Sequence, residues 1–299
     1  MDLPPTGHES ALLHEVLHCL APLPGQTIVD CTVGRAGHAA ALSDRIGPAG
    51  LLIALDVDPA NLEFARSVLQ SHPAPFRLFH ANFAEINDVI SQVGDSPNAI
   101  LADLGLSTNQ IPDPRYGLSF AENMPLDMRI DPRLTRTAAD LVNHLREEEL
   151  ANVLYNLAQE RYSRSIARKI AEARRVSPIT TTGRLAELVR AAIGNRGGVP
   201  RKIDPATRTF LALRICVNQE IENLQALLKT APKLLKPGGA FAVISFQSME
   251  DRLVKQAFRS EQEAGNFRVL TKKPISPGET ETARNPRSRS AKLRVIVRN

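Results

Sequence analysis

Aromatic residues and cysteines are scarce in this 299-residue sequence. It has no tryptophan, and only 4% of its residues are aromatic. A row of stacked aromatic rings, by which many proteins hold single-stranded nucleic acid, is therefore not expected. The three cysteines, Cys19, Cys31 and Cys216, form no Cys-x-x-Cys pair. Their odd number and wide spacing argue against a disulfide framework and against a zinc site, and indicate a reducing compartment.

Long apolar runs are also absent. The longest stretches, such as Leu51–Leu55 and Phe241–Ile244, fall far short of the roughly 20 residues that span a bilayer. The first twenty residues contain no lysine or arginine and no apolar run followed by a cleavage site. A secretory signal is therefore not expected, and the sequence predicts a cytoplasmic protein without a membrane partner.

The excess of positive over negative charge comes from two segments of the chain. Residues 1–159 carry a net charge of −11, whereas residues 160–214 carry +9 and residues 268–299 carry +7. Separate basic segments are typical of proteins that bind a polyanion such as nucleic acid. A solvated helix face and a basic tail would explain the charge equally well, so charge alone leaves both interpretations open.

Apolar runs bounded by turn residues alternate with helical periodicity in the first third of the chain. The predicted strands are Thr27–Asp30, Leu51–Leu55, Phe76–His80 and Ala99–Ala102, and the predicted helices between them are Gly37–Ile46 and Pro59–Leu69. This order predicts an α/β fold with a mostly parallel sheet and helices on both faces. Ligands of such folds bind at the carboxyl ends of the strands.

The pattern changes after Ser107. Residues 111–132 are rich in Pro and Asp and too irregular for a helix or strand, which predicts a functional loop. Amphipathic helices follow, one of them capped by Thr181 or Thr182, and residues 194–200 form a Gly-rich loop. We therefore expect a helical insertion at 111–204 between two parts of one α/β domain.

The α/β pattern returns in the last part of the chain. The predicted elements are a helix at 205–228, a strand at 240–245, a helix at 249–259 and strands at 267–271 and 293–297. A basic loop that contains proline joins the last two strands. The expected division is thus 1–110 for the first part of the α/β domain, 111–204 for the insertion, and 205–299 for the second part with its basic hairpin.

A glycine-containing turn, Gly34–His38, joins the first predicted strand to the helix after it. Glycines there let a ligand approach the backbone, and the helix N-terminus offers free N–H groups. A tight turn also requires glycine for conformational reasons alone, so the pattern is weak by itself. Because Ala36 breaks the GxGxxG spacing of dinucleotide-binding proteins, the turn favours S-adenosylmethionine over NAD.

Three further side chains stand at or just beyond the ends of successive strands. Asp56 can accept hydrogen bonds from both ribose hydroxyls of a nucleoside, because Asp58 is the better placed helix cap and leaves Asp56 free. Phe83 can cover an adenine ring or belong to the core. Asp103 can orient an amine or cap a helix. The probability that the glycine turn and these three side chains occur in this order by chance is much lower than the probability of any one of them.

Seven segments spread over nearly the whole chain form a specific set of motifs. They are His14–Leu17, Gly34–His38, Asp103–Ser107 with Gln110, Pro125–Arg129, Pro205–Arg208, Ile244–Arg252 and Asn285–Arg294. In these motifs the chain resembles the bacterial RsmH-type family of small-subunit ribosomal RNA cytosine-N4 methyltransferases. The resemblance implies a class I S-adenosylmethionine-dependent methyltransferase fold with an inserted helical domain. It also implies methylation of N4 of one cytidine in the decoding region of 16S ribosomal RNA.

The resemblance also implies site residues. The implied contacts to S-adenosylmethionine are Ala36, Gly37, His38, Asp56, Phe83, Asp103 and Gln110. We expect Asp103 to be the catalytic residue, because a carboxylate can accept hydrogen bonds from an amino group that is being methylated. The target base must leave its stack, and Asp127 and Arg129 are candidate contacts to it, or else a structural ion pair. No metal is expected.

The basic segments supply candidate phosphate contacts. In the insertion these are Arg161, Arg164, Arg168, Arg174 and Arg175, and in the tail they are Arg284, Arg287, Arg289 and Lys292. Arg208, just after the expected insertion, is a further candidate. We expect them to hold 16S ribosomal RNA, within the small ribosomal subunit, with an affinity that falls as salt rises.

The chain departs from the family at three positions. Ala36 replaces a glycine, and Asp204 and Gln247 replace histidines. Alanine fits the cofactor turn if its φ is negative, and Gln247 cannot titrate near neutral pH, so we expect that position to place RNA. These departures leave open a catalytically weak RNA-binding or ribosome-assembly factor on a methyltransferase scaffold. A nicotinamide dehydrogenase is a third interpretation, against which the glycine spacing counts.

Overall fold

The structure is a computed structural model that describes residues 10–194 and 204–299. Contacts between these residues divide them into two compact units. The first unit combines residues 10–105 with 221–299, and the second comprises residues 106–194 with 204–220. The segment between the two parts of the first unit is therefore longer at both ends than the insertion expected at 111–204.

One sheet forms the centre of the first unit. Its strands are β1 (Thr27–Asp30), β2 (Leu51–Asp56), β3 (Phe76–His80), β4 (Ala99–Asp103), β5 (Ala240–Ser245), β6 (Phe267–Val269) and β7 (Lys292–Arg298). Within the described residues, these seven strands lie in the order β3-β2-β1-β4-β5-β7-β6. Strands β1 to β5 pair in parallel, and β7 pairs antiparallel with both β5 and β6.

The helices differ in number and distribution between the two units. In chain order they are α1 (Leu13–Leu20), α2 (Gly37–Ile46), α3 (Pro59–Leu69), α4 (Ile86–Val93), α5 (Ala138–His144), α6 (Glu147–Ala158), α7 (Ser163–Arg174), α8 (Thr182–Ile193), α9 (Thr207–Val217), α10 (Glu220–Leu234), α11 (Ser248–Glu263) and α12 (Glu279–Arg284). Short 3-10 helices cover Phe83–Glu85 and Pro286–Ser290. Helices α5 to α9 belong to the second unit.

Both faces of the sheet are buried. Successive residues of a strand point to opposite faces, so Ile28 and Leu52 pack with α1, α2 and α3, while Val29 and Ile53 pack with α4, α10 and α11. Strands buried on both sides appear in the sequence as continuous apolar runs, which is why their positions were predicted closely. The mostly parallel sheet confirms the class I methyltransferase fold.

The strand order changes direction at one point. From β1 the chain adds β2 and β3 on one side, and then crosses to β4 and β5 on the other. Ligands of open α/β sheets bind in the crevice outside the carboxyl ends of the strands at such a point. The topology therefore selects the ends of β1 and β4, which are Asp30 and Asp103.

The second unit has a helical core of its own. Leu150 and Leu154 of α6 are buried with Ile166 of α7 and Phe210 of α9. The single helix predicted at 205–228 is wrong: α9 and α10 are separate helices, and Gln219 between them has a left-handed φ of 51°. Since α9 packs against α6, it belongs to the second unit, which moves the boundary from the predicted 204/205 to 220/221.

One local prediction in the remaining regions, the cap of α8, is confirmed. Thr181 caps α8, because its hydroxyl accepts a hydrogen bond from the Arg184 N–H. Strand β6 is shorter than the predicted 267–271, and the Gly-rich loop at 194–200 lies almost entirely outside the described residues. Within the described ranges, no helix is long and apolar enough to cross a membrane.

Candidate active site

Three buried or mostly buried carboxyl groups end three adjacent parallel strands. Asp30 ends β1, Asp56 ends β2 and Asp103 ends β4. We call these three residues the carboxyl edge. Parallel strands present their carboxyl ends at one edge of a sheet, so the backbone brings three like charges together where ligands of this fold bind.

Asp103 has an incompletely bonded side chain. Its backbone N–H donates to the Thr32 hydroxyl at 2.7 Å, and its Oδ2 lies 3.7 Å from Nδ1 of His38. Oδ1 is buried and accepts no hydrogen bond from any described residue, although 22% of the side chain is exposed. Burial, together with the negative charges of Asp30 and Glu250, raises the pKa of Asp103 well above its usual range. A reachable carboxyl group that lacks a donor suits an ammonium or amino group.

Asp56 is not free, contrary to the expectation from sequence. Oδ2 accepts the Gly34 N–H at 2.8 Å, and Oδ1 accepts the Asp58 N–H at 2.9 Å. Asp58 caps α3 as predicted, through the Ala60 N–H. Burial raises the pKa of Asp56 to about 6. Oδ2 also accepts from the Asn61 side-chain amide at 3.4 Å, which uses its second lone pair. Oδ1 keeps one lone pair beside its bond to the Asp58 N–H, so Asp56 can accept from a ribose hydroxyl while it also fixes the Gly34 turn.

Asp30 is a site residue that the sequence reasoning missed. It is almost completely buried, and burial raises its pKa to about 7. Its Oδ1 accepts the Thr32 N–H at 3.1 Å, and the Thr32 hydroxyl in turn accepts the Asp103 N–H. Asp30 therefore supports Asp103 through Thr32. Its position at the end of a predicted strand, as for Asp56 and Asp103, is the signal that could have identified it.

A side chain at Gly37 would displace Ser10 in the present packing of the turn after β1. A Cβ atom there would lie 2.0 Å from Oγ of Ser10. Ala36 is fully buried and has a left-handed φ of 60°. The condition of a negative φ at Ala36 is thus not met, because this residue closes the turn with its N–H bonded to the Val33 carbonyl at 2.7 Å and then occupies the N-cap position of α2. The alanine methyl is accommodated at a cost in backbone strain.

His38 connects this turn to Asp103. Its Nε2 lies 3.0 Å from the carbonyl oxygen of Ala11. A carbonyl can only accept, so Nε2 carries the hydrogen, and in the neutral ring Nδ1 presents a lone pair towards Asp103. The distance of 3.7 Å between Nδ1 and Oδ2 of Asp103 is longer than a hydrogen bond, so His38 lies beside Asp103 without bonding to it directly.

Phe83 and Gln110 are the remaining two predicted cofactor contacts. Phe83 begins the 3-10 helix after β3 and is half-buried against the core of the first unit, so both sequence interpretations retain support. Gln110 belongs to the second unit, where it is buried and its Oε1 accepts the Ser107 N–H at 3.0 Å. The structure thus links Gly34 to Asp56 and His38 to Asp103.

Asp127 and Arg129 form the ion pair that was the structural alternative. Arg129 Nε and Nη2 donate to the two oxygens of Asp127 at 2.7 and 2.8 Å, and its Nη1 donates to the Leu134 carbonyl. The same Asp-x-Arg geometry recurs at Asp131 with Arg133 and at Asp113 with Arg115. These pairs brace the loop, and a contact to the target base stays a prediction.

Helix α7 and the residues next to it expose a row of arginines. We call Arg161, Arg164, Arg168 and Arg175 the arginine face; all four are exposed, with the helical spacing that puts them on one side. Arg168 lies 3.7 Å from Glu147, an exposed pair that contributes little. Arg174 instead donates to the Val142 carbonyl at 2.7 Å, and exposed Arg208 donates to the Gln159 carbonyl at 3.2 Å.

The C-terminal segment exposes a second basic group. We call Arg284, Arg287 and Arg289 the tail cations; they lie at the end of α12 and in the 3-10 helix Pro286–Ser290. Lys292 is placed differently, because its Nζ lies 3.4 Å from Asp251. Asp251 also pairs with buried Arg294 at 2.6 Å. Lys292 therefore has a structural partner as well as a possible role towards RNA.

The two departures at histidine positions have structural partners. Gln247 precedes α11, and its N–H donates to Glu250, which also accepts the Phe246 N–H, both at 3.0 Å. Asp204 accepts from Arg190 at 2.8 Å and from the Ala206 N–H at 2.8 Å. Both residues support the local backbone where the family has histidine. No group of three or more His, Cys, Asp or Glu residues suited to a metal occurs within the described part of the chain.

Comparison with known proteins gives a consistent family assignment. Residues 5–299 match the model of the MraW methylase family. The chain is 46% identical to Ribosomal RNA small subunit methyltransferase H of Acidobacterium capsulatum, over 96% of this chain and 97% of that protein. It is 45% identical to the proteins of the same name from Syntrophotalea carbinolica and Koribacter versatilis, over 97% of this chain and 98% and 94% of theirs.

Proposed function

Because the chain belongs to the MraW methylase family, we propose that it methylates N4 of one cytidine in the decoding region of 16S ribosomal RNA. The chain is an S-adenosylmethionine-dependent ribosomal RNA methyltransferase. The names of its relatives specify the small subunit, and the sequence motifs support the cytidine and the N4 atom. The two units are proposed to be a methyltransferase domain and a substrate-recognition domain.

Asp103 carries this proposal. Its Oδ1 is a buried hydrogen-bond acceptor that has no donor among the described residues, and it lies at the point where the strand order of the sheet reverses. An orphaned acceptor costs free energy, which a bound donor recovers. The donors of S-adenosylmethionine fit this acceptor, since they include an ammonium group. The residues present therefore suit this cofactor.

Methyl transfer to cytosine N4 requires a hydrogen-bond acceptor for the amino group more than it requires a strong base. The cofactor supplies a sulfonium methyl group, which is a good electrophile. The lone pair of cytosine N4 is delocalised into the ring, so an acceptor that bonds the amino hydrogens helps N4 to pyramidalise. Asp103 serves either as that acceptor or as the anchor of the cofactor's ammonium group. A nearby cation lowers its raised pKa and favours the ionised form.

Other residues of the first unit would hold the cofactor. Asp56 retains one lone pair on Oδ1 for a ribose hydroxyl. The turn from Ala36 through His38 offers the N-terminus of α2. Phe83 would cover the adenine. Gln110 is retained as a contact on the strength of the motif that it shares with Asp103. Asp127 and Arg129 are retained as contacts to the flipped base.

The basic surfaces would bind RNA phosphates. The arginine face and the tail cations are exposed, as is Arg208, and Lys292 is partly exposed. Phosphate contacts give affinity without reading sequence, so the shape of folded RNA supplies the register. The proposed partner is the small ribosomal subunit, and its location in bacteria makes the protein cytoplasmic.

A second candidate function rests on Ala36 and Gln247. The left-handed Ala36 strains the cofactor turn, and Gln247 removes a titratable group. An RNA-binding assembly factor with weak catalysis would tolerate both. Binding of S-adenosylmethionine, measured by calorimetry, separates the two: a pure assembly factor would show no such binding.

Transfer of labelled methyl from S-adenosylmethionine to unmodified small subunits tests the main proposal. We expect the label in N4-methylcytidine after nucleoside analysis, and its loss with Asp103→Ala. Label in another nucleoside would contradict the proposed target. Absence of transfer, together with absence of S-adenosylmethionine binding, would favour the assembly factor.

A further inference from the structure

Residues 10–12 lie directly on the cofactor turn. A Cβ atom on Gly37 would meet Ser10 Oγ at 2.0 Å, and the Ala11 carbonyl accepts from His38 at 3.0 Å. Ser10, Ala11 and Leu12 are all buried. This short segment therefore fixes the position of His38, whose other ring nitrogen faces Asp103.

The backbone of this segment is held from a distant part of the chain. Leu12 has a left-handed φ of 55°, a conformation that a leucine keeps only where its surroundings impose it. Its N–H donates to Oε1 of Glu281 at 2.9 Å, across 269 positions of sequence. Glu281 lies in α12, so one carboxylate connects α12 to the segment over the turn.

The same helix leads into the tail cations. Arg284 is the last residue of α12, and exposed Arg287 and Arg289 follow in the next 3-10 helix. Contacts within the first unit thus run from the tail cations through Glu281 and residues 10–12 to His38, and from there to Asp103. The path ends at the group on which the proposed chemistry depends.

We propose, on the basis of the proposed function, that Glu281 is a positioning residue that couples RNA binding at the tail cations to cofactor affinity. Phosphates held by these arginines restrain α12 and keep Glu281 bonded to Leu12. Residues 10–12 then stay on Gly37 and His38, and the turn is preorganised for the cofactor. The coupling is reciprocal, so cofactor binding strengthens RNA binding by the same factor, about fivefold to tenfold.

The test measures affinity for S-adenosylhomocysteine, which has no methyl group to transfer, with and without purified 16S ribosomal RNA. Calorimetry on the full chain is expected to show RNA tightening this affinity about fivefold to tenfold in the wild type. Glu281→Ala should abolish the tightening. Glu281→Gln should retain it, because the amide oxygen still accepts from Leu12. Glu279→Ala, which removes an exposed carboxylate of the same helix, is the matched control and should behave as the wild type.

Each result decides the proposal. Equal affinity with and without RNA in the wild type, or full tightening in Glu281→Ala, would overturn it. A thermal unfolding profile of each variant shows whether it is folded, and if Glu281→Ala is not, the double variant Arg287→Ala with Arg289→Ala should lose the tightening instead. Retained tightening in that double variant would also overturn the coupling. A wild type that binds no S-adenosylhomocysteine would contradict the proposed function as well.

Discussion

The carboxyl edge and the arginine face differ in burial, charge and partners. Asp30 and Asp56 are buried, with raised pKa values that follow from desolvation, and Asp103 keeps one buried oxygen without a donor among the described residues. The arginine face is exposed, and the ion pair between Arg168 and Glu147 is solvated. Because the carboxyl edge is buried, we expect its function and stability to change with the replacement of a single side-chain atom and with pH. Because the arginine face is exposed, we expect its RNA affinity to depend on the number of positive charges and on salt concentration.

The largest effect is expected at Asp103. Asp103→Asn keeps the shape and removes the charge, so the rate of methyl transfer should fall about 10²- to 10³-fold, the usual effect of removing one preorganised electrostatic interaction. Single-turnover transfer to unmodified small subunits measures this rate. Asp88→Asn, an exposed change on α4, is the control and should have the wild-type rate. A similar loss in both variants would remove the distinction between buried and exposed carboxylates.

Asp30 should impose a pH dependence on stability. Its pKa of about 7 exceeds the ordinary 3.8, so from about pH 4 to 7 the folded state binds more protons, and the free energy of unfolding falls as pH rises. The full pKa shift of Asp30 corresponds to a loss of about 4 kcal/mol in the free energy of unfolding. Relaxation of the protein around the ionised carboxylate reduces this loss. We expect Asp30→Asn to be about 2 to 3 kcal/mol more stable than the wild type at about pH 8.

Urea unfolding at several pH values tests this expectation. The gain should shrink towards about pH 4, where Asp30 is protonated in the folded wild type. Asp88→Asn should show no comparable trend. A stability difference that is independent of pH would mean that Asp30 is not a desolvated carboxyl group.

The arginine face should affect RNA affinity and leave cofactor affinity unchanged. Replacing Arg161, Arg164 and Arg168 together by Ala should weaken RNA binding roughly 10- to 100-fold at low salt. The slope of log affinity against log salt should fall by about one for each phosphate that no longer has an arginine partner. The matched control replaces three exposed arginines of the first unit, Arg66, Arg77 and Arg259. Equal losses of affinity in the two triple variants would show that only net charge matters.

The smallest effect is expected at Ala36. An alanine in the left-handed conformation destabilises the folded state by about 1 to 2 kcal/mol. Replacement by glycine removes this strain but also makes the unfolded chain more flexible, which offsets part of the gain in stability. Ala36→Gly should therefore stabilise the protein by about 0.5 to 1 kcal/mol in chemical denaturation. Ala39→Gly, in the interior of α2, should have the opposite sign. Destabilisation by Ala36→Gly would mean that its methyl contacts outweigh the backbone strain.

The sequence predicted the sheet closely because its strands are buried on both faces. Apolar runs such as Leu51–Leu55 have few alternatives when turn residues bound them. The break between α9 and α10 was not predictable, because it depends on tertiary contacts: the Asn218 side chain donates to the Met128 carbonyl and accepts from the Ile130 N–H. Helical periodicity carries no information on such bonds.

The site was predicted in part for the same reason. Asp56 and Asp103 were identified by their places at strand ends, and the same rule applied to β1 would have added Asp30. The backbone angle at Ala36 and the bond of Asp56 to Gly34 are consequences of how the turn closes, which residue types alone do not specify. The hydrogen bond between Glu281 and Leu12 joins opposite ends of the chain and has no signal in the sequence.

One measurement tests most directly whether the carboxyl edge acts in methyl transfer and the arginine face acts in RNA binding. Methyl transfer is followed in a single turnover, at rising concentrations of small subunits, for Asp103→Asn and for the triple variant of Arg161, Arg164 and Arg168. Saturation should restore the triple variant to near the wild-type rate and should leave Asp103→Asn slow. Rescue of Asp103→Asn by saturation, or a triple variant that stays slow at saturation, would contradict the division of roles between the carboxyl edge and the arginine face.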